Sequence, residues 1–334
     1  MTHRQDVVGS GGASNTPHTV EVSRLPSPGL AQPNPTPPSL TPPGPTPPPK
    51  PKLWPRLLSI AVVTATCAVS GFVAYQQLWP TPEDLTASKV MNDGTVAGFT
   101  VYDQFDGAGG SELDSDKWSY DTGQTGWGNN EKQNYTDSSA NSFQDGSGNM
   151  SISALKTADG YTSARVTTRG KFEFTYGRVE ARIKMPAGAG LHPAFWLLGS
   201  DIDSVGWPLS GEIDVIETLN DADNYHTGIH APQADSLTSQ KVQAAGYPPV
   251  LLSDDYHVFW VERSPNKIVT GMDDKVLKTI TPDDLTGGSE YWVFDKPFYL
   301  LFNVAVAGDW PGPTTAETKF PATMSVDWVR YRTD

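Results

Sequence analysis

The 334-residue sequence contains one cysteine, Cys67. No intramolecular disulfide can staple it, so stability must come from a packed core. Basic residues are also scarce: 24 Lys and Arg face 38 Asp and Glu, a formal net charge of −14. Residues 1–80 hold five basic and two acidic side chains, which leaves −17 on the remainder. So acidic a surface argues against nucleic acid and anionic membrane surfaces as partners. Helical periodicity is missing too: beyond residue 98 no apolar pattern of helical spacing lasts more than a couple of turns, which argues against a helical domain.

Apolar residues are few in residues 1–52, where about half of the 29 prolines lie. This composition cannot bury enough surface to fold and predicts a disordered, polyproline-like cytoplasmic tail. Residues 53–78 reverse the pattern. Within them, residues 57–75 form an uncharged apolar run of 19 residues. At ~1.5 Å per residue a helix of that length crosses a hydrocarbon core of ~30 Å. Lys50, Lys52 and Arg56 precede the run, while Glu83 and Asp84 follow it. This asymmetry predicts a single-pass signal anchor with the N-terminus in the cytoplasm and residues 99–334 outside the cell. Residues 79–98 read as a linker. An extracellular domain of this size without disulfides suggests a bacterial cell membrane.

From residue 99 onward, short β-rich runs (150–154, 164–168, 178–185, 256–262, 299–306 and 324–331) alternate with Gly, Asn, Asp and Pro clusters. The pattern predicts an all-β fold, an antiparallel sandwich or barrel. One run is unusual. Between Trp207 and Glu217, three acids (Glu212, Asp214 and Glu217) sit among β-branched residues. Strand alternation puts Glu212 and Asp214 on one face and Ile213 and Val215 on the other. Glu217, at an odd offset, reaches the acidic face only if a β-bulge falls around Val215 and Ile216. Three carboxylates so close cannot all ionise cheaply, so a proton is retained near neutral pH. A retaining glycosidase uses that arrangement, with nucleophile and acid roughly 5–5.5 Å apart. The backbone separation is larger, about 13 Å over four effective steps, and long Glu side chains leaning inward would have to close it. A calcium site and a solvated acidic edge are the other readings of the pattern.

Gly211-Glu212-Ile213-Asp214-Val215-Ile216-Glu217 resembles the E-x-D-x-x-E signature of glycoside hydrolase family 16, in the bulged form typical of its laminarinase branch. The resemblance extends from about Phe99 to the C-terminus. It implies a β-jelly roll with a concave substrate cleft, and a retaining endo-β-1,3-glucanase that needs no cofactor for catalysis. Glu212 would be the nucleophile and Glu217 the acid/base. Asp214 would support both and hold Glu217 protonated. The same resemblance implies substrate contacts from several segments. Gly126 to Gln133 is similar to W-G-N-N-E-L-Q and offers Asn129 and Asn130 to sugar hydroxyls. Tyr161 to Arg165 is similar to Y-T-S-A-R, with Arg165 facing the glycone side. Leu191 to Leu198 resembles G-L-W-P-A-F-W-L, retaining Trp196 but placing His192 where Trp is usual. Trp207 would stack on a sugar near the cleavage point, His230 would face the cleft, and Trp310 would cap it. His226 and His230 do not form a zinc pair, because i and i+4 on a strand lie about 13 Å apart. Asp327 and the Gly148 carbonyl would hold a structural calcium on the convex face, although Gln104 stands where an acid is commoner. The expected partner is a β-glucan, bound by a monomer. A mixed-linkage glucan, a galactan or an envelope polysaccharide, transglycosylation, and a non-catalytic glucan-binding surface protein are the alternatives.

Overall fold

The computed structural model describes residues 98–333. The expected tail and membrane anchor, and all but the last residue of the linker, lie outside them. Among the described residues no helix is long and apolar enough to cross a membrane.

The chain opens with β1 (Thr100–Asp103), β2 (Ser119–Tyr120), β3 (Gln133–Tyr135), β4 (Ser142–Gln144), β5 (Met150–Thr157) and β6 (Gly160–Ser163). It continues through β7 (Arg165–Thr167), β8 (Gly177–Lys184), β9 (Leu191–Gly199), β10 (Glu212–Glu217), β11 (Tyr225–Pro232) and β12 (Ser239–Gly246). It ends with β13 (His257–Ser264), β14 (Lys267–Met272), β15 (Lys275–Ile280), β16 (Phe298–Val306) and β17 (Ala322–Arg332).

These strands form the sandwich that the sequence predicts. One sheet runs β15-β14-β13-β8-β17-β5-β6-β3, with β1 beside β17 and β4 beside β5. The other runs β12-β11-β10-β9-β16-β7-β2. Pairing is antiparallel except between β3 and β6. Alternation decides which side chains meet between the sheets. On β16, Phe298, Leu300, Phe302, Val304 and Val306 point into the core. Val179, Ala181 and Ile183 of β8 do the same from the opposite sheet. Phe195 of β9 stacks on Phe302 of the neighbouring strand, ring centroids 4.5 Å apart. Fully burying each such Val, Leu, Ile or Phe stabilises the fold by about 1.5–3 kcal/mol. With one face of the seven-stranded sheet sealed in this way, its other face is left to carry chemistry.

Candidate active site

Three central strands, β9, β10 and β16, form the floor of a cleft of about 670 Å³ on that outer face. On β10, Glu212 pairs with Leu198 of β9 and Asp214 with Trp196, but Ile216 pairs with Phe195. Val215 is therefore the extra residue, and Val215 and Ile216 are both fully buried in the core. The bulge restores the phase, and Glu212, Asp214 and Glu217 all line the cleft. Gly211 sets the entry to β10. Its φ is +72°, and a Cβ there would lie 2.9 Å from Val293 Cγ2 and 3.1 Å from Phe294 Cε1. Only glycine fits that conformation in that space.

The three carboxyls share a poorly hydrated site. Burial, followed by the charges of Glu217 and Glu212, holds Asp214 well above the usual carboxylate range. Burial, then the charge of Glu217, pushes Glu212 up to about 7. The cluster thus keeps a proton near neutrality. Trp207, 47% exposed, donates from Nε1 to Glu212 Oε2 at 3.1 Å. On β11, His230 Nε2 lies 3.7 Å from both Glu212 Oε1 and Asp214 Oδ2. Burial, reinforced by Lys241, lowers His230 to about 4, so it is neutral at neutral pH. The ligand atoms of Glu212, Asp214 and His230 lie within 4.8 Å of one another. His226 stands further along β11, opposite Glu217, whereas His230 is opposite Glu212.

At the other end of the row, His192 Nε2 lies 2.9 Å from Glu217 Oε1. Trp310 meets the His192 ring edge-on at 5.0 Å and the His226 ring at 4.7 Å. Arg165 is held between two indoles, 4.8 Å from the Trp127 ring centre and 4.5 Å from that of Trp196. Its Nε also bonds Asp121 Oδ2 at 3.0 Å. Trp196 donates to Asn303 Oδ1 at 2.7 Å, and Asn303 donates to the Tyr135 hydroxyl at 3.0 Å. Burial raises Glu131, whose Oε2 accepts from Gln133 at 2.6 Å.

Of the ten residues expected to act on substrate, nine line the cleft: Glu212, Asp214, Glu217, Trp207, Trp196, Asn129, Arg165, His230 and Trp310. Asn130 does not. Its amide donates to Asp309 Oδ2 at 2.7 Å, and this bond ties the Asn129 loop to the loop carrying Trp310. Glu131, Tyr135, His192, Lys241, Gln243 and Asn303 also line the cleft, and sequence reasoning assigned none of them to substrate. Glu131 and His192 lie inside motifs quoted above and Asn303 inside the β-rich run 299–306, so they were within reach of the sequence. Tyr135, Lys241 and Gln243 carry no local signal, because strand pairing alone brings them in.

The two residues expected to hold calcium lie elsewhere. A Cβ on Gly148 would be 3.7 Å from the Gln104 carbonyl oxygen and 3.9 Å from Asp106 Oδ1, oxygen donors of the kind calcium takes. Asp327, 2% exposed, accepts from Arg182 Nη1 at 2.7 Å through Oδ2.

Comparison with known proteins adds to this geometry. The model of glycosyl hydrolases family 16 matches residues 127–330. A β-glucanase of Rhodothermus marinus is 37% identical over 241 residues, spanning 69% of this chain and 83% of that one. A keratan-sulfate endo-1,4-β-galactosidase of Sphingobacterium multivorum is 35% identical over 269 residues, spanning 75% and 60% respectively. The catalytic domain of an endo-1,3-β-glucanase (laminarinase) from Thermotoga petrophila superposes with a TM-score of 0.63 at 35% identity, covering 72% of this chain and 98% of that one.

Proposed function

The chain belongs to glycosyl hydrolases family 16, and from that premise we propose that it is a retaining endo-β-1,3-glucanase acting on laminarin-like β-glucans. The observation that carries the reading is the bulge at Val215, which turns three carboxyls onto one cleft face beside exposed indoles. Glu212 is the nucleophile and Glu217 the acid/base. Glu212 attacks the anomeric carbon while Glu217 protonates the leaving glycosidic oxygen. Water then replaces Glu212 at that carbon and returns a proton to Glu217, with net retention. Asp214, buried between them, keeps the cluster from losing all its protons. Neutral His230 faces Glu212 and Asp214 without adding charge. Trp207 stacks on a sugar next to the scissile bond, while Trp196, Asn129 and Arg165 line the glycone side and Trp310 caps the cleft.

The anchor expected at residues 53–78 would hold this domain at the outer face of a bacterial cell membrane, as a monomer. A structural calcium at Gly148, with Asp327, would brace the final strand against the Gln104 segment. A second reading stays within the family. The keratan-sulfate endo-1,4-β-galactosidase relative, together with Lys241 in the cleft, favours a galactan or another polysaccharide, and an acceptor sugar outcompeting water would make the same site a transglycosylase. Laminarin, lichenan, agarose and a galactan, each incubated with the protein, separate these readings by product size and anomeric configuration. Oligosaccharides from laminarin with β-configuration support the glucanase. Cleavage of another polymer alone moves the linkage, and binding without cleavage overturns the hydrolase.

A further inference from the structure

Among the described residues Glu217 has one hydrogen-bond partner for its Oε1, and that partner is a residue of unexpected type. His192 and Ala194 lie two apart on the outer face of β9, and Ala194 pairs directly with Glu217. His192 is thus the diagonal neighbour of Glu217, a distance that only long side chains bridge. The imidazole bridges it, with Nε2 at 2.9 Å from Oε1. The side chain is 11% exposed, and its Nδ1 is buried with no hydrogen-bond partner among the described residues. Among the described residues Glu217 is therefore the one polar group that this ring addresses. Tryptophan, which the family resemblance leads one to expect here, could only donate. Imidazole can donate, accept and titrate.

We propose that His192 is the positioning residue of the acid/base: it fixes Glu217 through Oε1, turns Oε2 to the glycosidic oxygen, and shares the proton that catalysis transfers. The proposal rests on the hydrolase reading above. In the first half-reaction the bond from Glu212 to the anomeric carbon forms, the glycosidic C–O bond breaks, and the leaving oxygen takes the proton from Oε2. The Glu217 carboxylate so formed accepts the Nε2–H of His192. In the second half-reaction the oxygen of water bonds to the anomeric carbon, the bond to Glu212 breaks, and the proton of water returns to Oε2. Before the first step and after the second, either member of the pair can hold the one extra proton; between the steps that proton has left with the departing sugar.

The surrounding charges favour this sharing. Burial lowers the basicity of His192, but the hydrogen bond to Glu217 and the charges of Glu217, Glu131 and Glu212 outweigh it and leave the imidazole above its ordinary value. Asp214 lies on the same strand as Glu217. From β11, His226 opposes a second positive charge, and burial lowers it, while His230 is neutral. Lys241 and Arg165 enter from β12 and β7, and Arg165 is paired with Asp121. Asp309, on the Trp310 loop, is turned to Asn130.

The test uses the full chain with His192→Gln, which keeps a donor but cannot titrate, and His192→Phe, which keeps neither property. Rates are measured from pH 4 to 9 on laminarin and on a dinitrophenyl β-laminaribioside, whose leaving group needs no proton. With laminarin, His192→Gln should move the basic limb of kcat/KM to lower pH by about one unit, with KM unchanged. With the activated substrate, whose leaving group needs no proton from Glu217, that limb should be absent in the parent and the variant alike. An unmoved limb, or an equal loss on both substrates, overturns the proposal and leaves His192 a packing residue. A second readout needs no substrate. Nitrogen-15 NMR of the imidazoles should show the His192 titration moving to lower pH in Glu217→Gln, and an unmoved titration also overturns the proposal. If the parent protein cleaves neither substrate, the glucanase reading has failed, and this NMR result still decides whether the pair exists.

Discussion

Placing acids where burial keeps them protonated has a cost that Glu212→Gln should reveal. Glu212 starts from an ordinary carboxyl value of 4.5 and is pushed up to about 7 in the fold, chiefly by burial and next by the charge of Glu217. The sign follows from the two states. Below pH 4.5 the carboxyl is protonated whether the chain is folded or not, and it costs nothing. Between 4.5 and 7 the unfolded chain releases the proton while the folded chain holds it, so stability falls as pH rises. Above 7 both states are ionised and the folded state bears the whole penalty, at most about 3 kcal/mol at about 1.4 kcal/mol per pH unit. The side chain is 19% exposed, and that access to water reduces the expected figure to about 2 kcal/mol. Glutamine keeps an acceptor for Trp207 Nε1 and has no charge to bury. Urea unfolding of the parent and of Glu212→Gln, followed by tryptophan fluorescence, should give nearly equal stabilities at pH 4.5. At pH 8 the variant should be more stable by about 2 kcal/mol, with the urea slope unchanged. Hydrolysis should be abolished throughout. A variant less stable at pH 8, or a difference that ignores pH, would refute the buried-carboxyl account.

Glu217→Gln removes the acid and should lower kcat on laminarin by about 10² to 10⁴, while the circular dichroism spectrum stays that of the parent. Trp207→Ala deletes an exposed stacking surface of about 1 kcal/mol. KM for laminarin should rise about fivefold, and an unchanged KM would take Trp207 off the sugar path. If Gly148 and Asp327 hold calcium, EGTA should lower the melting temperature. A calcium level one hundred times Kd should restore about 2.7 kcal/mol, and superimposable melts with and without EGTA would remove the ion from the account. Raising NaCl from 0.05 to 0.5 M should leave KM for neutral laminarin within about twofold and should lower KM for any sulfated polymer that is cleaved, as steady-state kinetics on both would show.

The bulge was legible because a strand leaves a phase record. Glu212 and Asp214 fall two apart, Ile213 and Val215 do the same, and Glu217 is out of step by one, so the extra residue could be counted before any pairing was known. The sandwich was legible for a similar reason, since many short apolar runs broken by turn residues admit few other packings. The environment of the acids was not. In the sequence His192 is only a residue standing where Trp is usual, and pairing with β10 makes it a hydrogen-bond partner of Glu217. Asn130 looked equivalent to Asn129, yet its left-handed backbone, φ +54°, and the nearby Asp309 direct its amide to the loop instead. Lys241 stands opposite His230 only through the β11–β12 register, and no local pattern announces a register.

Charge bears on which polymer the cleft admits. The residues beyond 80 carry −17, and the cleft itself presents Glu131, Glu212, Asp214 and Glu217 against two lining cations, Arg165 and Lys241. Arg165 is committed to Asp121 and to two indole faces, so it brings little net attraction for an anion. Lys241 faces carboxyls whose ionisation its own charge favours, and a sulfate placed there would compete with Glu212 and Asp214 for one ammonium. An anionic polymer approaching this face therefore meets repulsion from the whole domain, which salt screens over a Debye length of about 10 Å at 0.1 M. A neutral glucan meets none, and it gains from indole stacking, which salt does not weaken. The field of the domain as well as the shape of the cleft thus bears on a neutral glucan and a sulfated galactan differently, and only the sulfated polymer should respond strongly to salt.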